Sequence, residues 1–150
     1  MTQVRAHGLA VSTHRGWEVR IWMPDLPPPA ENHPVVRLVN FAMPSTKNTY
    51  AEDVADELRP GQVIASLAEF SPASAGSGLY APQGVPKLRI DDFDPRAVQR
   101  AIPGRSGLQR FFTVAGRAFS LYVIARDGAG LARAVDELGR QLQGLVVDAR

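Results

Sequence analysis

A chain of 150 residues that is 45% hydrophobic and 21% charged has the size and balance of one folded domain, which excludes global disorder and allows a core without staples. With no cysteine, disulfides, zinc-thiolate centres, thiolate nucleophiles and lipidated cysteines are all excluded. A net charge of +2 is too slight to be a nucleic-acid footprint, and no stretch approaches the roughly 20 apolar residues of a membrane span or forms a signal-peptide core, so the expected location is cytoplasmic.

Leu9 and Val11 mark a short first strand, and Gly16 turns the chain into a second over Trp17 to Met23. There Trp17, Val19, Ile21 and Met23 share one face against Glu18, Arg20 and Trp22. The two strands are expected to form a hairpin. Pro24, Pro27, Pro28, Pro29 and Pro34 then stiffen a surface connection. Val35 to Phe41 is apolar except for Arg37 and Asn40, as in a central strand covered on both faces. Thr49 followed by Glu52 resembles a capping box, with Tyr50, Val54 and Leu58 on one helical face before Pro60 and Gly61 stop the helix.

Val63 to Phe70 reads as another covered strand. Glu69 falls on the Val63, Ala65 and Leu67 face, where a buried pair with Arg37 of the neighbouring strand is expected. Ser71 to Pro86, rich in Ser, Ala, Gly and Pro around Leu79 and Tyr80, is the longest loop. Asp94 and Pro95 open a short helix that Pro103 and Gly104 end. Phe111 to Val114 and Arg117 to Ala125 form a hairpin about Ala115 and Gly116. A type I turn with a glycine bulge is expected there, because a primed turn forces Ala115 to positive φ. From Ala129 onward Leu131, Val135, Leu138, Leu142 and Leu145 recur at helical spacing, with Arg133 and Glu137 paired on the wet side. The fold expected is a single α+β domain over residues 1–150, with an antiparallel sheet of about six strands packed against a C-terminal amphipathic helix and one or two shorter helices.

The residues that carry chemistry are scattered. His7, His14 and His33 sit near turns, with Glu31 as the one neighbouring carboxylate, so no metal is expected. Asp91, Asp92 and Asp94 lack the alternating oxygens of a calcium loop, and Asp94 is taken up by capping. Ser77 and Ser106 do not occupy nucleophile elbows, and no phosphate-binding glycine motif occurs, so neither an enzyme nor a cofactor is expected. Arg96, Arg100, Arg105, Arg110 and Arg117, with Tyr80, Phe93, Phe111 and Phe112, are the residue types that anchor protein interfaces or stack on single-stranded bases. Fifteen carboxylates offset the 17 basic side chains, which argues against nucleic acid. Phe111 and Phe112 must point to opposite faces of their strand, and one C-terminal helix covers only one of them. The partner-binding site is therefore placed at Tyr80, Arg110 and Arg117, the arginines lying at the rim of the second face.

Gly16-Trp17-Glu18 opening an early strand, then Pro34 to Phe41, then Arg110-Phe111-Phe112 through Gly116-Arg117 to Tyr122-Val123, resembles the PsbP-like α+β fold as found in small actinobacterial proteins. The arginine-rich basic set, with Lys47 and Lys87 its only lysines, fits a GC-rich bacterial genome. The resemblance implies a mostly non-enzymatic group of extrinsic photosystem subunits, import accessory factors, secretion chaperones and lipoproteins. The lipoproteins' acylated cysteine has no counterpart in this chain. What it implies is a non-catalytic interaction module or chaperone-like adaptor holding a protein partner, homo-oligomerisation being left open. The alternative is a small-ligand binder or enzyme with a pocket between the sheet and the C-terminal helix.

Overall fold

In the computed structural model, which describes residues 2–149, eight strands form two antiparallel sheets beside one α-helix. The small sheet is built from β1 (Thr2–Ala6), β2 (Leu9–Thr13) and β8 (Val146–Val147), in the order β1-β2-β8. The large sheet contains β3 (Glu18–Trp22), β4 (Val35–Val39), β5 (Val63–Phe70), β6 (Arg105–Val114) and β7 (Arg117–Arg126), in the order β3-β4-β5-β7-β6. The helix α1 (Leu131–Gln143) follows β7.

The central strands β4, β5 and β7 carry long runs of buried residues because both faces are covered. Their first face, with Val36, Leu38, Val63, Ala65, Leu67, Phe119, Leu121 and Val123, meets Leu131, Ala134, Val135, Leu138 and Leu142 of α1 and Leu9 and Val11 of β2 in one core. Trp17 joins that core by its ring, and its Nε1 donates to Glu137 Oε2 at 2.8 Å, tying the approach to β3 onto α1. The second face packs Val39, Ile64, Tyr122 and Ile124 against Val54, Ala55 and Leu58 from a 3-10 turn over Glu52–Glu57. No helix among the described residues is long and apolar enough to cross a membrane.

Several expectations are corrected. The sheet expected to have about six strands is two sheets, and β2 pairs with β1 and β8 rather than forming a hairpin with β3. The helix expected over Tyr50 to Leu58 is the 3-10 turn just described, entered through Ala51 at φ 56° with no side-chain cap. Thr49 lies two residues before the N-cap position, which Ala51 occupies, and its backbone carbonyl accepts from Arg37. The helix expected after Asp94 is only a 3-10 turn over Pro95–Ala97, although Asp94 does accept from the Arg96 amide at 2.8 Å. β6 begins six residues before Phe111, at Arg105. In the β6–β7 turn Ala115 has φ 51° and Gly116 φ 75°, the signature of a type I′ turn rather than a glycine-bulge turn. The ten-residue pairing of β6 with β7, from Arg105 opposite Arg126 to Val114 opposite Arg117, fixes the register and holds Ala115 in that region.

Candidate functional site

Antiparallel pairing places directly opposed residues on the same face, so the register defines what the second face of the large sheet presents. One cross-sheet row runs Trp22, Val35, Ala68, Ser120, Phe111, and the next Arg20, Arg37, Ser66, Tyr122, Gln109. The middle of this face is floored by small residues. Aromatic rings stand around it. Tyr50 meets Tyr122 edge to face at 5.5 Å, Tyr80 meets Phe111 in the same way at 5.5 Å, and Phe70 leans on Tyr80 at 5.7 Å. At one end a hollow of about 240 Å³ is lined by Leu26, His33, Val35, Tyr50, Ala68 and Phe70 among others.

The 71–86 segment, rather than hanging free, is fastened along the outer edge of β6 by a single buried threonine. Thr113 donates its amide to Pro82 O at 2.8 Å and its hydroxyl to Tyr80 O at 2.6 Å. Its carbonyl accepts from Gly84 N and its hydroxyl from Gly76 N. This fastening sets Tyr80 over Phe111 and leaves the preceding Leu79 66% exposed. Leu26 is 52% and Phe70 37% exposed. Burial and the neighbouring Tyr50 hold the Tyr80 phenol above its usual range. At the floor of the loop before β4, His33 Nε2 lies 3.1 Å from Glu31 Oε2, and His33 Nδ1 is shielded without a partner.

The three residues expected to bind a partner are not brought together. Tyr80 is on the aromatic surface. Arg110 alternates with Phe111 and so points to the other face, where it lies 3.9 Å from Asp92 and donates to the Gln109 carbonyl. Arg117 is not at a rim. Its side chain is 3% exposed and its Nε and Nη2 grip Glu69 at 3.1 and 2.6 Å. The remaining donors reach the carbonyls of His7, Gly8 and Asp148, so all five N–H groups are used. Glu69 therefore pairs with Arg117 and not with Arg37, because Arg37 and Glu69 point to opposite faces of the sheet.

The wider arginine patch also comes apart. Arg105 is buried and holds the carbonyls of Ala55, Asp56, Leu58 and Pro103. Arg100 pairs with Asp56 at 2.8 Å and Arg96 with Asp94. Side chains of α1 pack on the first face of the sheet, and a hollow of about 640 Å³ lies where the start of α1 meets β6, lined by Phe93, Ser106, Asp127, Leu131 and Arg133 among others. Among the described residues no three histidine or acidic side chains gather as a metal-holding group.

Sequence reasoning did not bring Leu26, His33 and Tyr50 together at one hollow. The proline-rich segment carries no periodicity, so nothing in it signalled that it folds back over β4 and β5. Phe70 was legible as a second-face residue by its alternation with Ala68, and its exposure depends on the loops around it. Comparison with protein-family models, with curated proteins and with solved structures found no match to the chain.

Proposed function

We propose that the protein is a non-catalytic interaction module that holds an apolar side chain of a protein partner in the hollow between the proline-rich segment and the end of β5. The observation that carries this reading is the gathering of exposed apolar side chains at that hollow. Leu26 and Phe70 line it, and Leu79 is displayed beside Tyr80, which leans on Phe70. Scattered single apolar residues are normal on a surface, whereas a contiguous patch with a concave centre marks a binding site. Tyr80 and Phe111 contribute rigid aromatic area that loses little side-chain entropy on binding. The antiparallel sheet with its C-terminal helix supports assigning the chain to the PsbP-like group, whose members are mostly non-enzymatic, and that assignment belongs to the same proposal.

A photo-crosslinking amino acid at Leu79 tests the reading in the native cell. A crosslink to one defined polypeptide is expected from position 79 and not from Val146, which is also exposed but lies on the small sheet. Equal labelling from both positions, or none from position 79, would overturn it.

A further inference from the structure

On the same sheet face, away from the apolar hollow, two arginines face one another without a carboxylate between them. Arg20 of β3 stands directly opposite Arg37 of β4, and like charges so placed destabilise a strand pair. Both guanidiniums lie against one indole, their Cζ atoms 4.8 and 4.7 Å from the centre of the Trp22 ring. Arg37 is only 5% exposed. Its Nη2 donates to the carbonyls of Asn48 and Thr49, each at 2.9 Å, while its Nε is enclosed and has no partner. Among the described residues neither arginine forms an ion pair, whereas a buried guanidinium is ordinarily matched by an anion.

Burial lowers the Arg37 pKa and the Arg20 charge lowers it further, with Asp53 opposing both. The Asp53 carboxylate is already engaged by the Thr46 hydroxyl at 2.6 and 2.7 Å. Beside the two arginines a hollow of about 190 Å³ is lined by Glu18, Arg20, Arg37, Met43 and Ser45, among others.

We propose that this hollow binds a phosphate group, free or as a monoester, between Arg20 and Arg37. A carboxylate brings one negative charge. A phosphate brings between one and two at neutral pH, with at least three acceptor oxygens, and so can bridge two guanidiniums. Ser45 adds a hydroxyl to the lining. Glu18 faces the same space and acts as a competing internal anion, which makes affinity depend on its charge.

Thermal unfolding and the indole N–H resonance of Trp22 should be followed in phosphate, acetate and chloride at equal ionic strength. Phosphate is expected to raise the Tm above both other anions and to move the Trp22 resonance. Arg20→Gln should weaken the phosphate response roughly tenfold, the scale of one charged hydrogen bond, with a Tm in chloride no lower than that of the unaltered protein, because Arg20 is exposed and its charge opposes Arg37. Glu18→Gln should strengthen it. Glycerol phosphate used in parallel separates the sources, since a response to inorganic phosphate alone assigns the free ion and a response to both assigns the group. An unmoved resonance, an equal response to acetate, or a Tm rise that persists in Arg20→Gln, as the general salting effect of phosphate would give, overturns the site.

Discussion

The two faces of the large sheet solve the same covering problem in opposite ways. The first face is closed mainly by regular structure, with α1 and β2 supplying leucine and valine side chains and Val85, Leu88 and Phe93 packing at its edge. The second is closed by irregular chain, namely the 3-10 turn at 52–57, the proline-rich segment and the 71–86 loop. Regular elements bring matched rows of apolar side chains, and so fill space evenly. Loops bring carbonyls, aromatic rings and gaps. Most enclosed polar atoms without a partner lie on or beside the second face, among them Arg37 Nε, Ser66 Oγ and Glu52 Oε2. The first face is optimised for stability, and the second is where binding can be built.

The sharpest way to break the first face is through the buried ion pair of Arg117 with Glu69. Arg117 holds Glu69 of β5, the turn between β1 and β2, and the chain beyond β8, so it joins the two sheets at one point. Removing Arg117 takes five hydrogen bonds from Glu69 and from the carbonyls of His7, Gly8 and Asp148, and removing the Glu69 carboxylate leaves the buried Arg117 charge facing carbonyls alone. Arg117→Met or Glu69→Leu alone should cost about 3–5 kcal/mol by denaturant unfolding. The double variant should lose less than the two singles added. Strict additivity would show that the pair is not coupled. Gly8→Ala tests the same joint from its far side, because a Cβ there would meet Arg117 Nη1 at 2.6 Å in a backbone already at φ 75°.

Next in size is the packing of α1. Leu138 is fully enclosed beneath the helix, so Leu138→Ala should cost about 2–5 kcal/mol through lost burial and the cavity left behind. A loss under 1 kcal/mol would mean that the helix settles onto the sheet more freely than a closed face permits.

The second face has a smaller polar counterpart. Tyr122 Oη donates to Glu52 Oε1 and accepts from the Gln99 amide at 2.8 Å, linking β7 to the 3-10 turn. Burial first, and then the Glu52 hydrogen bond, raise the Tyr122 pKa well above that of a free tyrosine. An unfolded tyrosine ionises near about pH 10, whereas the folded one keeps its proton, so the contribution is complete below that pH and declines as pH rises beyond it. Tyr122→Phe should cost about 1–3 kcal/mol by taking the hydroxyl away from Glu52 and the Gln99 amide, which then keep only their own contact at 3.2 Å. It should also flatten the alkaline fall in stability. A phenolate absorbance titration in which all three tyrosines ionise together while the protein is folded would contradict this account.

How legible these faces were from sequence follows from the same contrast. The first face was legible, because the nearly continuous apolar runs of β5 and β7 mark strands covered on both faces, and the 3.6-residue spacing of Leu131, Val135, Leu138 and Leu142 is the imprint of a helix buried on one side. The small sheet was not, since β1 is largely exposed and β8 has two residues, too little for a pattern. Arg117 misled for a definite reason. Alternation put it on the Phe119 face, but a charge at a strand end reads as exposed until the β1–β2 turn and Asp148 are seen to close over it. The apolar hollow was invisible because it is made where the proline-rich segment, the end of β5 and Tyr50 meet, and no local rule relates those three stretches.

The smallest stability effect carries the functional test of the comparison. If the second face is built for binding, its exposed apolar side chains contribute little to folding, as is usual for surface substitutions within about ±0.5 kcal/mol. Phe70→Ser with Leu79→Ser should therefore leave denaturant unfolding nearly unchanged while abolishing crosslinking from a probe placed at Leu26, which lines the same hollow. The outcome separates two explanations of the exposure. If the aromatic side chains instead serve the fold, loss of Phe70 releases Tyr80 from its place over Phe111, the 71–86 segment loosens from β6, and stability falls by well over 1 kcal/mol. Such a fall would assign Phe70 to the cover of the sheet, and retained crosslinking at full stability would remove the hollow as the partner site.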